Sequence, residues 1–390
     1  MAGNIMQALY NSMSGLFSFS QSLDTISNNV SNMNTPGFRG SDSFFENVMD
    51  DDGTEIAGTG IDTSEGQIEQ TSTDTDVAIQ GNGLFILKDS EGNLFYTRDG
   101  QFEFNSSGQL VDSVNQYLVQ GYSPTGSLGD IDISNLQTLP AQATTTVNMV
   151  GNLATASSPE TLNATIFDAQ GTSQVLTITL TSATGTGVTG QTWNVAITDA
   201  NGDNLGSGKI SFDANGSPVA GSNEVTMTDP LGGASQSVVF NFGTPGSLSG
   251  TTDIEGEPTT LAAQVQNGNG VVGLSSEAFD TTGTLQLTYA NGTISAGPQL
   301  ALATFPDESQ LQEVQGNLYL PPAGQTVQVG RPSSSVFGSI QGSSLEMSNV
   351  NITQELADMI VIQQGYQASS RVMTVSSDML QKLYDATQGA

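Results

Sequence analysis

The run Ile26-Ser27-Asn28-Asn29-Val30-Ser31-Asn32-Met33-Asn34-Thr35-Pro36-Gly37-Phe38 is where this chain changes character. Upstream of it, apolar residues recur at helical spacing. Pro36-Gly37 then stops the helix, because proline has no N–H to continue the ladder and glycine accepts the tight turn that follows. Downstream, the chain reads as short strands and turns rich in Gly, Ser and Thr. Helical spacing resumes only near Leu345. The two ends therefore read alike, and the middle reads like neither.

On the N-terminal side, Leu9, Leu16, Leu23 and Val30 stand seven apart, and Phe19, Ile26 and Met33 form a second row three residues further on. This spacing predicts a helix over 1–33 with an a/d seam and Ser12 as its polar defect. At the other end, Leu345, Ile352, Met359, Tyr366, Met373 and Leu380 recur every seven residues, and Leu356, Ile362, Leu383 and Tyr384 widen the stripe. Asn351 with Gln354 reads as a capping-box variant, and Gly389 lies just past the helix end. Isolated helices of modest propensity are marginal in water. Both ends are therefore expected to be largely disordered in the single chain and to become ordered against other copies, with the two seams as inter-subunit contacts.

Between the helices, residues 34–75 read as a polar linker or arm with an apolar knot at Phe44, Phe45, Val48 and Met49. Residues 76–145 read as the first part of a β domain, with Asp99-Gly100 as its strongest short hairpin signal. In 146–284, alternating rows such as Leu176, Ile178, Leu180 and Trp193, Val195, Ile197 predict strands of an inserted β domain. Residues 285–344 return to the first β domain, and 345–390 form the closing helix. The expected fold is mainly β with α-helical termini. It consists of nested antiparallel domains of sandwich or barrel type and a coiled-coil pair made by the two ends.

Composition excludes several functions. Lys and Arg number 7 against 39 Asp and Glu, a net charge of −32, and the cations form no cluster. Neither a phosphate backbone nor an anionic membrane surface is a fitting partner. There is no His and no Cys, which removes the usual general base, the commonest metal ligand and all thiol chemistry. Asp199-Ala200-Asn201-Gly202-Asp203 looks loosely like a calcium loop, but Asn204 and Ile210 stand where that loop needs Gly and Glu; a hairpin turn is the better reading. Asp50-Asp51-Asp52 reads as a solvated acidic loop. No catalytic residue, metal or cofactor is expected. The first residues carry no basic, apolar leader, so a cleaved signal peptide is not expected.

At this point the residues carry a resemblance. Asn28, Asn29, Asn32, Asn34, Thr35, Pro36, Gly37 and Phe38 resemble the N-terminal signature of the flagellar rod and hook proteins. Gly81-Asn82-Gly83, Tyr96-Thr97-Arg98-Asp99-Gly100 and Gly121-Tyr122 resemble that family's shared β core. Ser348, Asn349 and Val350, followed by Met359 to Ala368, resemble its C-terminal motif. Phe167-Asp168, Trp193 and Phe212-Asp213 resemble the insertion that hook members carry and shorter rod members lack. The resemblance implies a self-assembling homopolymer: a curved tube outside the cell that acts as a universal joint between rod and filament. The terminal helices would form its inner wall and the β domains its outer layers. Implied partners are further copies of the chain, rod, hook-cap and hook–filament junction proteins, and the flagellar export apparatus. A straight distal rod subunit and a secreted β-rich adhesin are the alternative readings.

Overall fold

The computed structural model describes all residues except 1, 48–52, 155–157, 184–189, 230–235, 316, 335 and 389–390. Val48, Met49, the Asp50-Asp51-Asp52 run and Gly389 lie outside the described residues. The chain divides into two compact units.

The first unit holds residues 1–137, 275–288 and 292–390. Helix α1 spans Ala2–Ser31 and helix α2 spans Ile352–Gln388. Between α1 and the β core lies an antiparallel hairpin, β1 (Ser41–Asn47) with β2 (Thr54–Ile61). The region read as a linker or arm thus contains this hairpin and the short strand Ile68–Gln70. The main sheet of this unit runs in the order Ile294–Leu300, Leu118–Tyr122, Leu84–Lys88, Leu94–Thr97, Leu318–Leu320 and Gln312–Val314. Its core packs Leu84, Ile86, Tyr96, Ala301, Phe305 and Tyr319 together. Two short ladders bring the returning chain back beside its outgoing segment: Ser339–Gly342 against Val77–Gln80, and Ser344–Glu346 against Ile68–Gln70.

The second unit holds residues 138–274 and 289–291. Four strands, Glu160–Phe167, Ser173–Ser182, Thr192–Thr198 and Asn204–Ser211, form an antiparallel meander. Every second residue points inward, so Leu176, Ile178, Leu180, Trp193, Val195 and Ile197 join one apolar cluster with Val147, Met149, Val238 and Phe240.

The turns share one chemistry. Asp89, Asp168, Asp199, Asp213 and Asp280 each accept, on one carboxylate oxygen, the backbone N–H groups two and four residues on. A glycine three residues after each aspartate has positive φ, from 72° at Gly283 to 91° at Gly92, a conformation that glycine adopts without steric cost. Asp199 is one of this set, so the loop that resembled a calcium site is a self-satisfied hairpin turn.

The expected fold class needs correction in two respects. The β units are not closed sandwiches or barrels of antiparallel strands. Their sheets are open, with end strands such as Glu224–Asp229 and Asn204–Ser211 left as edges. The pairing is also mixed: Thr146–Leu153 lies parallel to Gln236–Asn241 and to Thr251–Asp253, and antiparallel to Ala262–Val265. Alternation predicts strands, but it carries no information on which distant strand pairs or in which direction. Nor do the helices form a coiled coil. They run antiparallel and meet through small side chains rather than interlocking leucines. A Cβ on Gly15 would stand 3.1 Å from Ser369 Oγ, and one on Gly365 would stand 2.7 Å from Phe19 Cζ. Close approach of the two backbones replaces knobs-into-holes packing.

Ile178→Ala empties a fully buried position in the second unit. A loss of about 3 kcal/mol is expected for that unit's transition in urea, with the helical signal of α1 and α2 unchanged.

Candidate assembly site

Three stretches remote in sequence converge in the first unit: 29–40, 96–100 and 344–355. The chain leaves α1 through Asn32, whose N–H donates to the carbonyls of Asn28 and Asn29 at 3.1 and 3.2 Å, and whose amide donates to Asn28 Oδ1 at 2.9 Å. Thr35 Oγ1 donates to Asn32 Oδ1. Gly37 has φ +70°, and a Cβ there would lie 2.3 Å from the Asp99 nitrogen; only glycine fits, on conformation and on space. Its N–H donates to the Glu346 carbonyl at 2.8 Å, and the Pro36 carbonyl accepts from Asn317 Nδ2 at 3.0 Å. Phe38 is buried behind this turn.

Two asparagines fasten the ends. Asn29, 2% exposed, accepts from Ser41 N and donates through Nδ2 to Ser41 O and to Glu355 Oε1, all at 3.0 Å. It thereby joins α1, β1 and the first turn of α2. Asn349 Oδ1 accepts from Gly40 N at 2.8 Å, and its Nδ2 donates to the carbonyls of Asp62 and Ser64 at 3.0 Å. Asn351 caps α2 by accepting from Thr353 N and Gln354 N. Gln354 does not complete the box; its side chain donates forward to Asp358 instead.

Beneath the Pro36-Gly37 turn lies Arg98, fully buried. Its Nε pairs with Glu346 Oε2, Nη1 donates to Gly83 O, and Nη2 donates to Ile79 O at 2.9 Å and Gly81 O at 2.7 Å. The Gly81-Asn82-Gly83 loop thus wraps its carbonyls around a guanidinium. Glu346 Oε1 is used as well, accepting from Gly66 N at 3.0 Å. Beside this pair, burial pushes the Asp99 carboxyl up to about 7, with Asp112 and Asp76 adding to the rise and the Gln101 N–H opposing it. Asp99-Gly100 is therefore not a hairpin turn. A Cβ on Gly100 would stand 1.7 Å from the Val77 carbonyl, so this dipeptide threads a crossing of buried backbones. A second ion pair, Arg39 Nη1 to Glu308 Oε2 at 3.1 Å, ties the segment after Phe38 to the returning chain.

A narrow acidic cleft lies where α1, β1 and α2 meet, with Asp42, Glu355 and Asp358 beside Ile26, Phe45 and Ile362. Burial raises both Asp42 and Glu355, and the neighbouring carboxylates raise them further. Among the described residues, no group of His, Cys, Asp or Glu could hold a metal ion. No helix there is long and apolar enough to cross a membrane.

Comparison with known proteins follows this geometry. Residues 9–39 match the family described as flagella basal body rod protein, 78–155 match the flagellar hook protein FlgE/F/G D1 domain, and 341–386 match the flagellar basal body rod FlgEFG protein C-terminal family. Two of these segments hold the asparagine clasps, and the middle one holds Arg98. Along these three segments the chain is similar to the flagellar hook and rod proteins. Over 95% of its length it is 28% identical to the flagellar hook protein FlgE of Brucella suis biovar 1, covering 96% of that protein. Over 96% of its length it is 28% identical to the FlgE of Escherichia coli K12, covering 99% of it. The crystal structure of Helicobacter pylori flagellar hook protein FlgE2 aligns with 72% of the chain at a TM-score of 0.47 and 13% identity.

The signature residues divide by role. Asn29, Gly37, Phe38 and Asn349 are clasp residues. Asn28, Asn32 and Thr35 shape the helix exit. Ser348 accepts from Val350 N at 3.3 Å, and Val350 packs near Gly40. Asn34 is exposed, and Pro36 is half-buried.

The seam residues are only partly covered in the single chain. On α1, Ile26 is buried, while Leu9, Leu16, Phe19, Leu23, Val30 and Met33 are half-buried. The face of α1 that is fully covered is instead Ser12, Gly15, Ser18, Ser22 and Asn29. On α2, Met359, Ile362, Met373 and Leu380 are half-buried, and Ile352, Leu356, Tyr366 and Leu383 are exposed.

Sequence reasoning missed Arg98 and Glu346 as partners, which stand 248 residues apart in the chain. It also missed an exposed apolar row on α1: Met6, Tyr10, Met13 and Phe17.

Two outcomes follow from the buried pair and its neighbour. Glu346→Gln leaves Arg98 without its counter-charge, and a loss of about 3–5 kcal/mol in urea unfolding is expected; pairing Arg98→Met with Glu346→Leu should return part of it. For Asp99, the folded chain holds a proton that the unfolded chain releases near the ordinary carboxylate value. Stability should therefore fall as pH rises from about 4 to about 7, by up to ~1.4 kcal/mol per pH unit. Asp99→Asn should flatten that slope in thermal unfolding.

Proposed function

We propose that this chain is the subunit of the flagellar hook, polymerising outside the cell into a curved tube that transmits torque from rod to filament as a universal joint. One observation carries the reading: the clasp fixes both helices to one rigid junction, yet leaves their apolar residues half-covered or exposed. A folded chain whose largest uncovered apolar rows lie on its terminal helices is built to bury them against copies of itself. The hook is favoured over the rod because Phe167-Asp168, Trp193 and Phe212-Asp213 resemble the insertion that hook members carry.

In this reading the seams Leu9, Leu16, Phe19, Leu23, Ile26, Val30 and Met33 on α1, and Ile352, Leu356, Met359, Ile362, Tyr366, Met373, Leu380 and Leu383 on α2, complete their burial between subunits. The helical layer resists torsion. Bending compliance resides in the polar, glycine-dotted surfaces of the β units, whose hydrated contacts exchange hydrogen bonds for water at little net cost. Rod, hook-cap and hook–filament junction proteins are the partners at the two ends of the tube, and the export apparatus delivers the subunits.

Met359→Asp should abolish polymerisation, because an uncompensated charge buried in each copy costs about 3–5 kcal/mol. The strand signal in circular dichroism should be unchanged. Sedimentation and negative-stain microscopy read the result: curved tubes from wild type and none from the variant support the hook, whereas straight tubes from wild type point to a rod subunit.

A further inference from the structure

A cavity of about 630 Å³ opens in the first unit beside the clasp, within the size range of small-molecule sites, and its lining is mostly polar. Arg39 forms part of its wall with only 4% of its surface exposed. One N–H of that guanidinium goes to Glu308 at 3.1 Å. Its Nε is buried and has no hydrogen-bond partner among the described residues. Gln325 Oε1 is likewise buried without a partner, while Gln325 Nε2 donates at 2.8 Å to the carbonyl of Asp307, which lines the same cavity. A donor and an acceptor left open beside one cavity point to a polar guest, because buried polar groups are seldom left unpaired. The walls stand ready for it. The Gly81-Asn82-Gly83 loop is pinned through its carbonyls by Arg98. Asp307 caps the turn Glu308–Gln310 by accepting from Ser309 and Gln310. Fixed walls spare a ligand the entropy of ordering them.

The lining selects the chemistry of the guest. Glu65, Asp307 and Glu308 stand against the single Arg39, in a chain of net charge −32. Phosphates, nucleotides and acidic peptides are therefore repelled. An organic cation fares no better, because it meets Arg39 and finds Asp307 spent on its own turn and Glu308 spent on Arg39. A neutral guest rich in hydroxyls fits. The side chains of Glu65, Asn82 and Gln328 line the cavity and make no hydrogen bond among the described residues. Each amide offers a donor and an acceptor together, and a carboxylate accepts from two hydroxyls at once. Pro306 and Val336, both exposed, add an apolar wall against which the C–H face of a pyranose ring leaves water.

We propose that this cavity binds a neutral carbohydrate of one or two pyranose rings. Asn82, Gln328 and Glu65 take its hydroxyls, and the Arg39 guanidinium donates to a ring or hydroxyl oxygen. Binding needs only the folded single chain, so it stands or falls apart from the polymerising role.

The full-length chain is titrated with the methyl pyranosides of glucose, galactose and mannose, with N-acetylglucosamine, and with maltose and cellobiose. Saturation-transfer NMR reads the binding. Sodium glucuronate and a neutral tripeptide are the comparators. Saturable binding of at least one neutral sugar is expected. Asn82→Ala combined with Gln328→Ala removes two exposed side chains and leaves the buried clasp in place. This double variant should bind that sugar at least ~10-fold more weakly, with the free chain's thermal unfolding unchanged. Arg39→Lys keeps a charge beside Glu308 but loses the planar fork, and should also weaken binding; where that variant does not fold, the double variant decides. No saturable binding by any of these sugars would overturn the proposal, as would undiminished binding by the double variant. Tighter binding of glucuronate than of methyl glucopyranoside would refute a neutral guest. A tripeptide that binds where no sugar does would make the cavity a protein contact and overturn the proposal as well.

Discussion

The first unit depends on one buried charge. Arg98 has no exposure to water, and a guanidinium cannot escape that cost by losing its proton. It must be met on all sides, and it is: by the Glu346 carboxylate and by the carbonyls of Ile79, Gly81 and Gly83. Glu346 sits a few residues before α2, and its own backbone carbonyl receives Gly37 N–H just after α1. Satisfying Arg98 therefore fixes where the outgoing and returning chains lie relative to each other. Buried ion pairs are a weak source of stability but discriminate strongly between arrangements. Here the discrimination sets the geometry from which both helices project.

The acidity of the chain takes a different meaning once the hydrogen bonds are known. Five aspartates close hairpins on their own backbone. Others are held in the clasp, where burial raises Asp42, Asp99 and Glu355. The cations are largely committed as well: Arg39, Lys88 and Arg98 form internal ion pairs, and Arg331 lies over the Tyr122 ring. The helices stay close to neutral while the rest of the chain carries the charge. That contrast separates surfaces that keep copies soluble from surfaces that let them meet.

Small residues decide how the helices pair. A heptad pattern of leucines describes which residues are apolar, but not which face will be covered. Ser12, Gly15 and Ser18 let α2 and the hairpin come close, and their hydroxyls find backbone carbonyls within reach, as Ser12 does with Ala8 and Leu9 at 2.8 and 2.9 Å. The larger side chains are pushed to the flanks of the contact. The apolar rows left outside are the consequence, and they are what a polymer has to cover.

The sequence by itself determined a helix near each end, the stop at Pro36-Gly37 and the alternating strands around Trp193, although Leu345, read as the first heptad residue of the closing helix, lies in the strand Ser344–Glu346 and α2 begins only at Ile352. All of these rest on local periodicity, turn chemistry or motif spacing, which a chain displays without reference to distant parts. Only the tertiary structure decided that Asp99-Gly100 is a buried crossing, that Thr146–Leu153 takes parallel as well as antiparallel partners, that the sheets stay open, and which helix faces are spent within one chain. Those outcomes depend on contacts between residues hundreds of positions apart, such as Asn29 with Glu355 and Arg98 with Glu346. No local pattern encodes them, because they are set by the cost of leaving a buried charge or amide unpaired.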